Sequence, residues 1–237
     1  MTLLTICQDV AAEIGTFETP STIVGNNNET AGLLLAMAKR EVQTLARLAD
    51  WTELTKETTF STVASQEAYT ITGDVGLSDF DRIVDGTMFD RTNRWEVSGP
   101  VPAQRWQRIK ADNVQASARL FWRIRGGSIL IYPTPSDVRT IYFEYVSAHV
   151  VEDSGGTGQA TWAADDDVCV LPERLVTMGL RWRFLQRHGM PYEDQFNEWA
   201  SETERAIVRD GGKRVLDLSG MKAPLGIANF PESGYGA

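Results

Sequence analysis

The chain has 237 residues, of which 42% are hydrophobic and 23% are charged, and this composition is typical of a globular protein with a sizeable core. Its formal net charge is −9. The excess of acid argues against a protein that wraps DNA or lies on an anionic membrane, because both functions need a positively charged surface.

Two helices are predicted near the N-terminus. Within residues 3–14, apolar side chains recur at steps of three and four residues, and Gly15 suits the position that follows a helix end. From Glu29 to about Leu48 a longer stripe of apolar residues predicts the second helix. The two helices are separated by a polar loop.

The middle of the chain changes to a period of two, which is typical of strands. Residues 56–72 alternate around a Ser-Gln-Glu turn and predict a hairpin. Residues 119–135 predict a second hairpin, closed by Gly126 and Gly127, because this pair allows positive φ at both turn positions. Strands are also predicted in 80–90, 93–99 and 139–151, and a short helix in 102–112.

Two more helices are predicted at the C-terminal end, over 172–189 and 190–212, and they should form an antiparallel hairpin. We therefore predict an α+β fold: an α-helical bundle from the N- and C-terminal helices, with an inserted antiparallel β-lobe and an extended C-terminal tail. The predicted boundaries are 1–55 and 163–212 for the bundle, 56–151 for the β-rich lobe, 152–162 for a flexible Gly-rich loop and 213–237 for the tail.

A search for catalytic motifs favours a protein that is not an enzyme. The sequence has no Gly-x-Ser-x-Gly, and its Gly-rich loop lacks the lysine of a phosphate-binding loop. His149 and His188 have ordinary structural positions, after a strand and at a helix end. Cys7 and Cys169 are predicted to be buried. We therefore expect no cofactor and no metal. The sequence also lacks a signal peptide and a membrane helix, so we expect assembly in the cytoplasm.

The triplet Asp165, Asp166 and Asp167 is the strongest candidate for a site. Consecutive residues of an extended segment point to opposite sides, so the three carboxylates cannot all face one metal ion. Pro172 and Glu173 instead indicate a helix start shortly afterwards. We interpret the triplet as a helix entry whose carboxylates face Arg174, Arg181 and Arg183, within the subunit or across a subunit interface.

The order of elements resembles the head-to-tail adaptors (connector or tail-tubular proteins) of short-tailed bacteriophages. The resemblance covers roughly residues 1–210 and rests on stretches such as "LLTICQDVAAEIG", "ADWTEL", "ILIYPTP", "ADDDVCVLPERLVTMGLRWRF" and "YEDQFNEWASETERAI". None of these is a catalytic signature.

The resemblance implies a structural virion protein at the head-tail junction, assembled in the host cytoplasm. Members of the family form rings, usually of twelve copies, beneath the portal protein. The ring lengthens the DNA channel, through which DNA passes without sequence-specific binding, and carries tail nozzle or fibre proteins. In relatives a terminal extension docks on the portal. The corresponding segment here is 213–237, with the apolar anchors Leu216, Leu218, Leu225, Ile227 and Phe230.

A closed ring needs two different complementary surfaces on each subunit, because its contacts are heterologous. The C-terminal helix hairpin offers charges of opposite sign on its two helices. The predicted interface residues are Arg174, Arg181, Arg183 and Arg187 on one helix, Glu193, Asp194, Glu198, Glu202 and Glu204 on the other, and Asp165, Asp166 and Asp167 before them.

Several alternatives remain open. The helix charges are equally compatible with solvated faces or with pairing inside the hairpin. A tail-associated hydrolase or carbohydrate-binding component would use the aspartates with His149. A nucleic-acid-binding module would use the aromatic and basic residues of "RWQRIK" and "FWRIR".

Overall fold

Within residues 1–15, 18–111 and 119–211, which the computed structural model describes, the chain forms five α-helices. They are α1 (Leu3–Ile14), α2 (Glu29–Leu48), α3 (Ala103–Ala111), α4 (Glu173–Arg187) and α5 (Glu193–Gly211). A single 3-10 turn, Thr52–Leu54, links α2 to the first strand. Helices from the two ends of the chain are in contact, with α4 packed against α1, α2 and α5.

The strands of these residues form three antiparallel sheets. They are β1 (Thr55–Ser61), β2 (Ala68–Thr70), β3 (Phe80–Ile83), β4 (Phe89–Asp90), β5 (Trp95–Glu96), β6 (Phe121–Arg125), β7 (Ser128–Tyr132), β8 (Thr140–Ser147), β9 (Val151–Glu152), β10 (Gly158–Gln159) and β11 (Val168–Cys169). The largest sheet has the order β1-β8-β4-β5, with β3 also paired to β8. The other two have the orders β2-β7-β6 and β10-β9-β11.

Local chemistry explains the limits of the N-terminal helices. The Thr2 hydroxyl accepts a hydrogen bond from the Thr5 amide and caps the start of α1, which ends at Gly15 with φ +66°. Asn28 caps α2 by accepting from the Thr30 amide. These caps satisfy backbone groups that the helices leave without partners.

The α+β prediction is confirmed, whereas the closed arrangement of the helices as a bundle stays a prediction.

Two large apolar cores lie side by side. The first contains the inner faces of α1, α2, α4 and α5, and the second lies among the strands between Phe60 and Tyr145. Strand β8 contributes to both, since Ile141, Phe143 and Tyr145 belong to the second core and Val146 to the first. The core of the helices also includes Val150, Val151 and Trp162, which lie in the predicted lobe and loop ranges, and the division of the chain into domains stays a prediction.

The two predicted hairpins have different outcomes. The hairpin at Gly126 and Gly127 is confirmed, because β6 and β7 pair directly and both glycines have positive φ. The hairpin over 56–72 is wrong. Strand β1 pairs with β8 and β2 pairs with β7, so the two segments enter different sheets.

The remaining predictions concern the loop and the tail. Within 152–162, which we predicted to be a flexible loop, β10 pairs with β9 in a short hairpin, and its mobility stays a prediction. The tail 213–237 lies outside the described residues. Among the residues that the structure does describe, no helix is both long and apolar enough to cross a bilayer.

Candidate assembly surfaces

The acidic triplet fixes backbone inside the subunit. The Asp165 carboxylate accepts hydrogen bonds from the amides of Ile23, at 3.1 Å, and Val24, at 2.7 Å. The Asp167 carboxylate accepts from the amides of Ala163, at 2.6 Å, and Ala164, at 2.8 Å. Each carboxylate therefore caps two backbone amides by accepting their hydrogen bonds.

The backbone of the same segment holds the start of α1. The Leu4 amide donates to the Asp165 carbonyl at 3.1 Å, and the Leu3 amide donates to the Asp167 carbonyl at 2.9 Å. Asp167 is only 1% exposed, whereas Asp166 is exposed. The triplet thus joins the approach to α4 to the N-terminal helix and to the loop before α2.

The predicted contacts of the aspartates with arginines of the same subunit are not found. In the described part of the chain no ion pair joins the triplet to Arg174, Arg181 or Arg183. Arg181 pairs with Glu13 of α1 at 3.2 Å, and Arg183 pairs with Glu41 of α2. The physical reason is that backbone amides already occupy the two inward-facing carboxylates.

Arg183 belongs to the core of the helices and not to a surface. Its Nε atom lies 2.5 Å from Oε2 of Glu41, which is 0% exposed, and its guanidinium stacks 4.5 Å from the ring centre of Trp182. Burial raises the pKa of Glu41, and the Arg183 charge opposes this shift. With 8% of its surface exposed, Arg183 has little area to offer to a neighbouring subunit.

Gly179 makes room for this buried pair. A Cβ atom at Gly179 would lie 2.0 Å from Oε1 and 2.6 Å from Cγ of Glu41. The sequence analysis missed Glu41, because a charged residue inside an apolar helix stripe is ordinarily assigned to solvent. The available signal was its position, one residue before Val42 on the buried face of α2.

Aromatic contacts, and not ion pairs, hold the α4–α5 hairpin together. The Trp182 ring lies 5.2 Å from that of Phe196 and 5.8 Å from that of Trp199, between ring centres. No ion pair connects α4 to α5 within the described residues. The alternative in which the charges of the two helices pair inside the hairpin is therefore not found in this part of the chain.

The other charged candidates face outward. Arg174 and Arg187 are exposed on α4, and Glu193, Asp194, Glu198 and Glu204 are exposed on α5. Glu202 is half-buried and lies 3.4 Å from Arg205 on the same helix. A role in a subunit interface stays a prediction for all of them. The docking candidates Leu216, Leu218, Leu225, Ile227 and Phe230 lie outside the described residues.

The two cysteines are poor nucleophiles. Burial raises the pKa of both Cys7 and Cys169 to about 12. At neutral pH both are therefore thiols, and the thiolate is the reactive form. Nor does any part of the described chain bring together three His, Cys, Asp or Glu side chains in a geometry for a metal ion.

A comparison with known protein families finds a match that covers most of the chain. The family model described as SU10 adaptor protein matches residues 1–221. No curated protein matches the chain.

Proposed function

The chain belongs to the SU10 adaptor protein family, and from this premise we propose that it forms a ring beneath the portal of a bacteriophage and joins the head to the tail. The structural role of a phage adaptor follows from the family itself. The match over residues 1–221 carries the proposal, since it spans all helices and strands described above. We propose twelve copies in the ring, because this number matches a dodecameric portal.

The proposed ring lengthens the DNA channel and gives tail nozzle or fibre proteins a platform. The net charge of −9 supports a channel that does not hold DNA, because like charges repel. The protein acts here by assembly and not by catalysis. This part of the proposal is supported by the acidic triplet, in which Asp165 and Asp167 are occupied by backbone amides.

We further propose that residues 213–237 dock on the portal. This segment follows α5 directly and carries five spaced apolar anchors, Leu216, Leu218, Leu225, Ile227 and Phe230. Apolar side chains that a partner covers contribute roughly 25 cal/mol for each Å² removed from water. The segment follows the last described helix, and we expect its removal to leave the packed helices and strands intact.

Electron microscopy of negatively stained mixtures of the protein and its portal tests the proposed function. We expect an added ring of density below the portal. A protein that stays monomeric and leaves the portal unchanged would refute the proposal.

The role of the tail is tested with a chain that ends at residue 212. We expect this variant to lose binding to the portal and to keep the melting temperature of the full chain. As a control, Asp85→Asn changes an exposed residue of the described fold outside the predicted interface residues and should leave portal binding unaltered. Unchanged binding by the shortened chain would contradict the docking role.

A further inference from the structure

We propose that neighbouring copies in the ring meet through a basic surface on the β-strands of one copy and the acidic outer face of α5 on the next. The basic surface consists of α3, β6 and the β4–β5 hairpin. This inference rests on the proposed function, and it names the two surfaces that a heterologous ring contact requires.

Positive charge is concentrated in a short part of this acidic chain. Six of the 23 Lys and Arg residues lie between residues 103 and 125, where Asp112 is the single acid. They are Arg105, Arg108, Lys110, Arg119, Arg123 and Arg125. Such segregation in a protein of net charge −9 creates a local positive potential that attracts an acidic partner.

The fold brings these cations together. Helix α3 lies on the β2-β7-β6 sheet, where Trp106 packs with Val101 and Leu130. The Arg105 guanidinium lies 5.9 Å from the ring centre of Phe121 at the start of β6. Because side chains alternate along a strand, Arg123 and Arg125 share the face of Phe121. The cations of α3 and β6 therefore lie on one side of this sheet.

Exposed aromatic residues extend the basic surface. Trp95 is 43% exposed and Phe89 is 39% exposed on the β4–β5 hairpin. The Arg119 guanidinium lies 5.9 Å from the ring centre of Trp95. A backbone bridge between Ser98 and Phe121 joins this hairpin to β6. Arginine and aromatic residues are enriched in protein interfaces, and tryptophan often contributes most to binding.

Helix α5 offers a surface of opposite charge. Its sequence has six acids, Glu193, Asp194, Glu198, Glu202, Glu204 and Asp210, against Arg205 and Arg209, a difference of four negative charges. The inner face of α5 is used by Trp199 and Thr203, which are buried. The outer face includes Glu198, Glu204 and Val208, which is 54% exposed. The outer face of α5 therefore combines acidic side chains with apolar area, and the basic surface combines cationic side chains with aromatic rings.

The two surfaces belong to different parts of the subunit. Helix α3 packs on the three-stranded sheet through Trp106, and α5 packs on α4 through its aromatic residues. Within the described residues no ion pair joins the arginines of α4 to α5, and two of these arginines bind other helices, Arg181 through Glu13 and Arg183 through Glu41. On the basic surface Lys110 already binds Glu67, whereas within the described residues no ion pair engages Arg105, Arg123 or Arg125. A second copy of this chain supplies partners of opposite charge for these three arginines and for the exposed acids of α5. This favours a contact between copies over a nucleic acid, which would leave the acid of α5 unmatched.

Two charge reversals and their mixture test the contact. One variant carries Arg123→Glu and Arg125→Glu, and the other carries Glu198→Arg and Glu204→Arg. Each variant alone places like charges opposite each other at the substituted positions and removes most of the charge difference between the two surfaces, so we expect its assembly to fall by about tenfold or more. In an equal mixture every contact between unlike copies is again complementary. We expect the mixture to form rings as the unsubstituted chain does.

Assembly is measured in two ways, as rings on the portal by negative stain and as cross-linked oligomers of the protein alone. Arg47→Glu on α2 and Glu18→Arg before it are controls, because they change exposed charges outside both surfaces and should not affect assembly. Melting curves confirm that each variant is folded. If a reversal does not fold, the single substitutions Arg125→Glu and Glu198→Arg replace it.

The outcomes separate this inference from the proposed function. If the unsubstituted chain forms rings on the portal but either variant does so equally well, or the mixture fails, the contact is wrong and the function stands. If the unsubstituted chain ignores the portal, the function fails, and cross-linking of the mixture still decides the contact. A chain that is monomeric in both measurements overturns the contact. The contact is also wrong if the variant with Arg123→Glu and Arg125→Glu loses binding to a labelled single-stranded oligonucleotide but assembles as the unsubstituted chain does.

Discussion

Three residues on two helices form a close, buried contact in the helical core. Glu41 and Arg183 are buried together, and Gly179, one turn before Arg183, is the position over which the Glu41 side chain lies. Two buried charges are tolerated only when they are paired with good geometry. The absence of a side chain at Gly179 allows α2 and α4 to approach closely enough for this pairing.

Gly179→Ala is expected to lower the free energy of unfolding by about 2–3 kcal/mol, as overpacked core substitutions do. The added Cβ would collide with the Glu41 side chain, which is buried and held by Arg183. Chemical denaturation measures the change. Gly32→Ala on α2 is the matched control, because nothing lies within 4 Å of its Cβ position. It should stabilise the helix by about 0.5–1 kcal/mol. Equal effects of the two substitutions would contradict this account of Gly179.

The charges on α4 show what residue patterns can and cannot reveal. Arg174 and Arg187 are exposed, as a helix periodicity read from sequence predicts. Arg183 is not, because its partner Glu41 lies 142 positions away and can be recognised only in the folded chain. The same holds for the acidic triplet. Its neighbours predicted a helix entry correctly, but not the amides of Ile23 and Val24 that Asp165 binds.

At the scale of elements, short-range signals predicted pairing where the partner is adjacent in sequence. The β6–β7 hairpin was predictable because Gly126 and Gly127 specify the turn itself. The segments β1 and β2 are also adjacent, yet each pairs with a strand far along the chain. An alternation of apolar residues indicates that a strand has one buried face, but it does not indicate which strand pairs with it.

The segment before α4 is expected to stabilise the N-terminal elements through one carboxylate. Asp165→Ala leaves the amides of Ile23 and Val24 without their acceptor and should lower the free energy of unfolding by about 2 kcal/mol, the range for hydrogen bonds to charged groups. Asp166→Ala is the adjacent control, because its side chain is exposed, and should change the value by about 0.5 kcal/mol or less. Thermal and chemical unfolding measure both. A larger loss for Asp166→Ala would refute the assignment.

At the scale of the whole molecule, Asp79 connects strands that are distant in sequence. Its carboxylate accepts hydrogen bonds from Lys56 at 2.7 Å, Ser147 at 2.8 Å and Tyr145 at 3.0 Å. Burial opposes ionisation, but these hydrogen bonds outweigh it and lower the pKa of Asp79 from 3.8 to about 2. The Asp79 carboxylate therefore binds a proton less tightly in the folded protein than in the unfolded chain.

This difference predicts how stability responds to acid. The contribution of Asp79 is fully present above about pH 4 and is lost as the pH falls toward 2, because the unfolded chain takes up the proton first. Asp79→Asn should cost about 2 kcal/mol at pH 7 and flatten the decline of stability between pH 4 and 2. Denaturation at a series of pH values measures both effects. Asp85→Asn, an exposed neighbour, should keep the original profile, and an equally flat profile there would contradict the prediction.

Arg82 has a mechanical consequence for the junction between the helices and the strands. The chain leaves the helices at Thr55 and begins its return at Val146, and these two residues face each other across β1 and β8. Two covalent connections placed side by side behave like a hinge, about which the strands would swing. Arg82 on β3 adds a third link between the strands and the helices, since it donates to the carbonyls of Ala46 and Ala49 at the end of α2 and binds Asp50 at 2.8 Å. We expect this third link to restrict rotation of the strands about the two covalent connections.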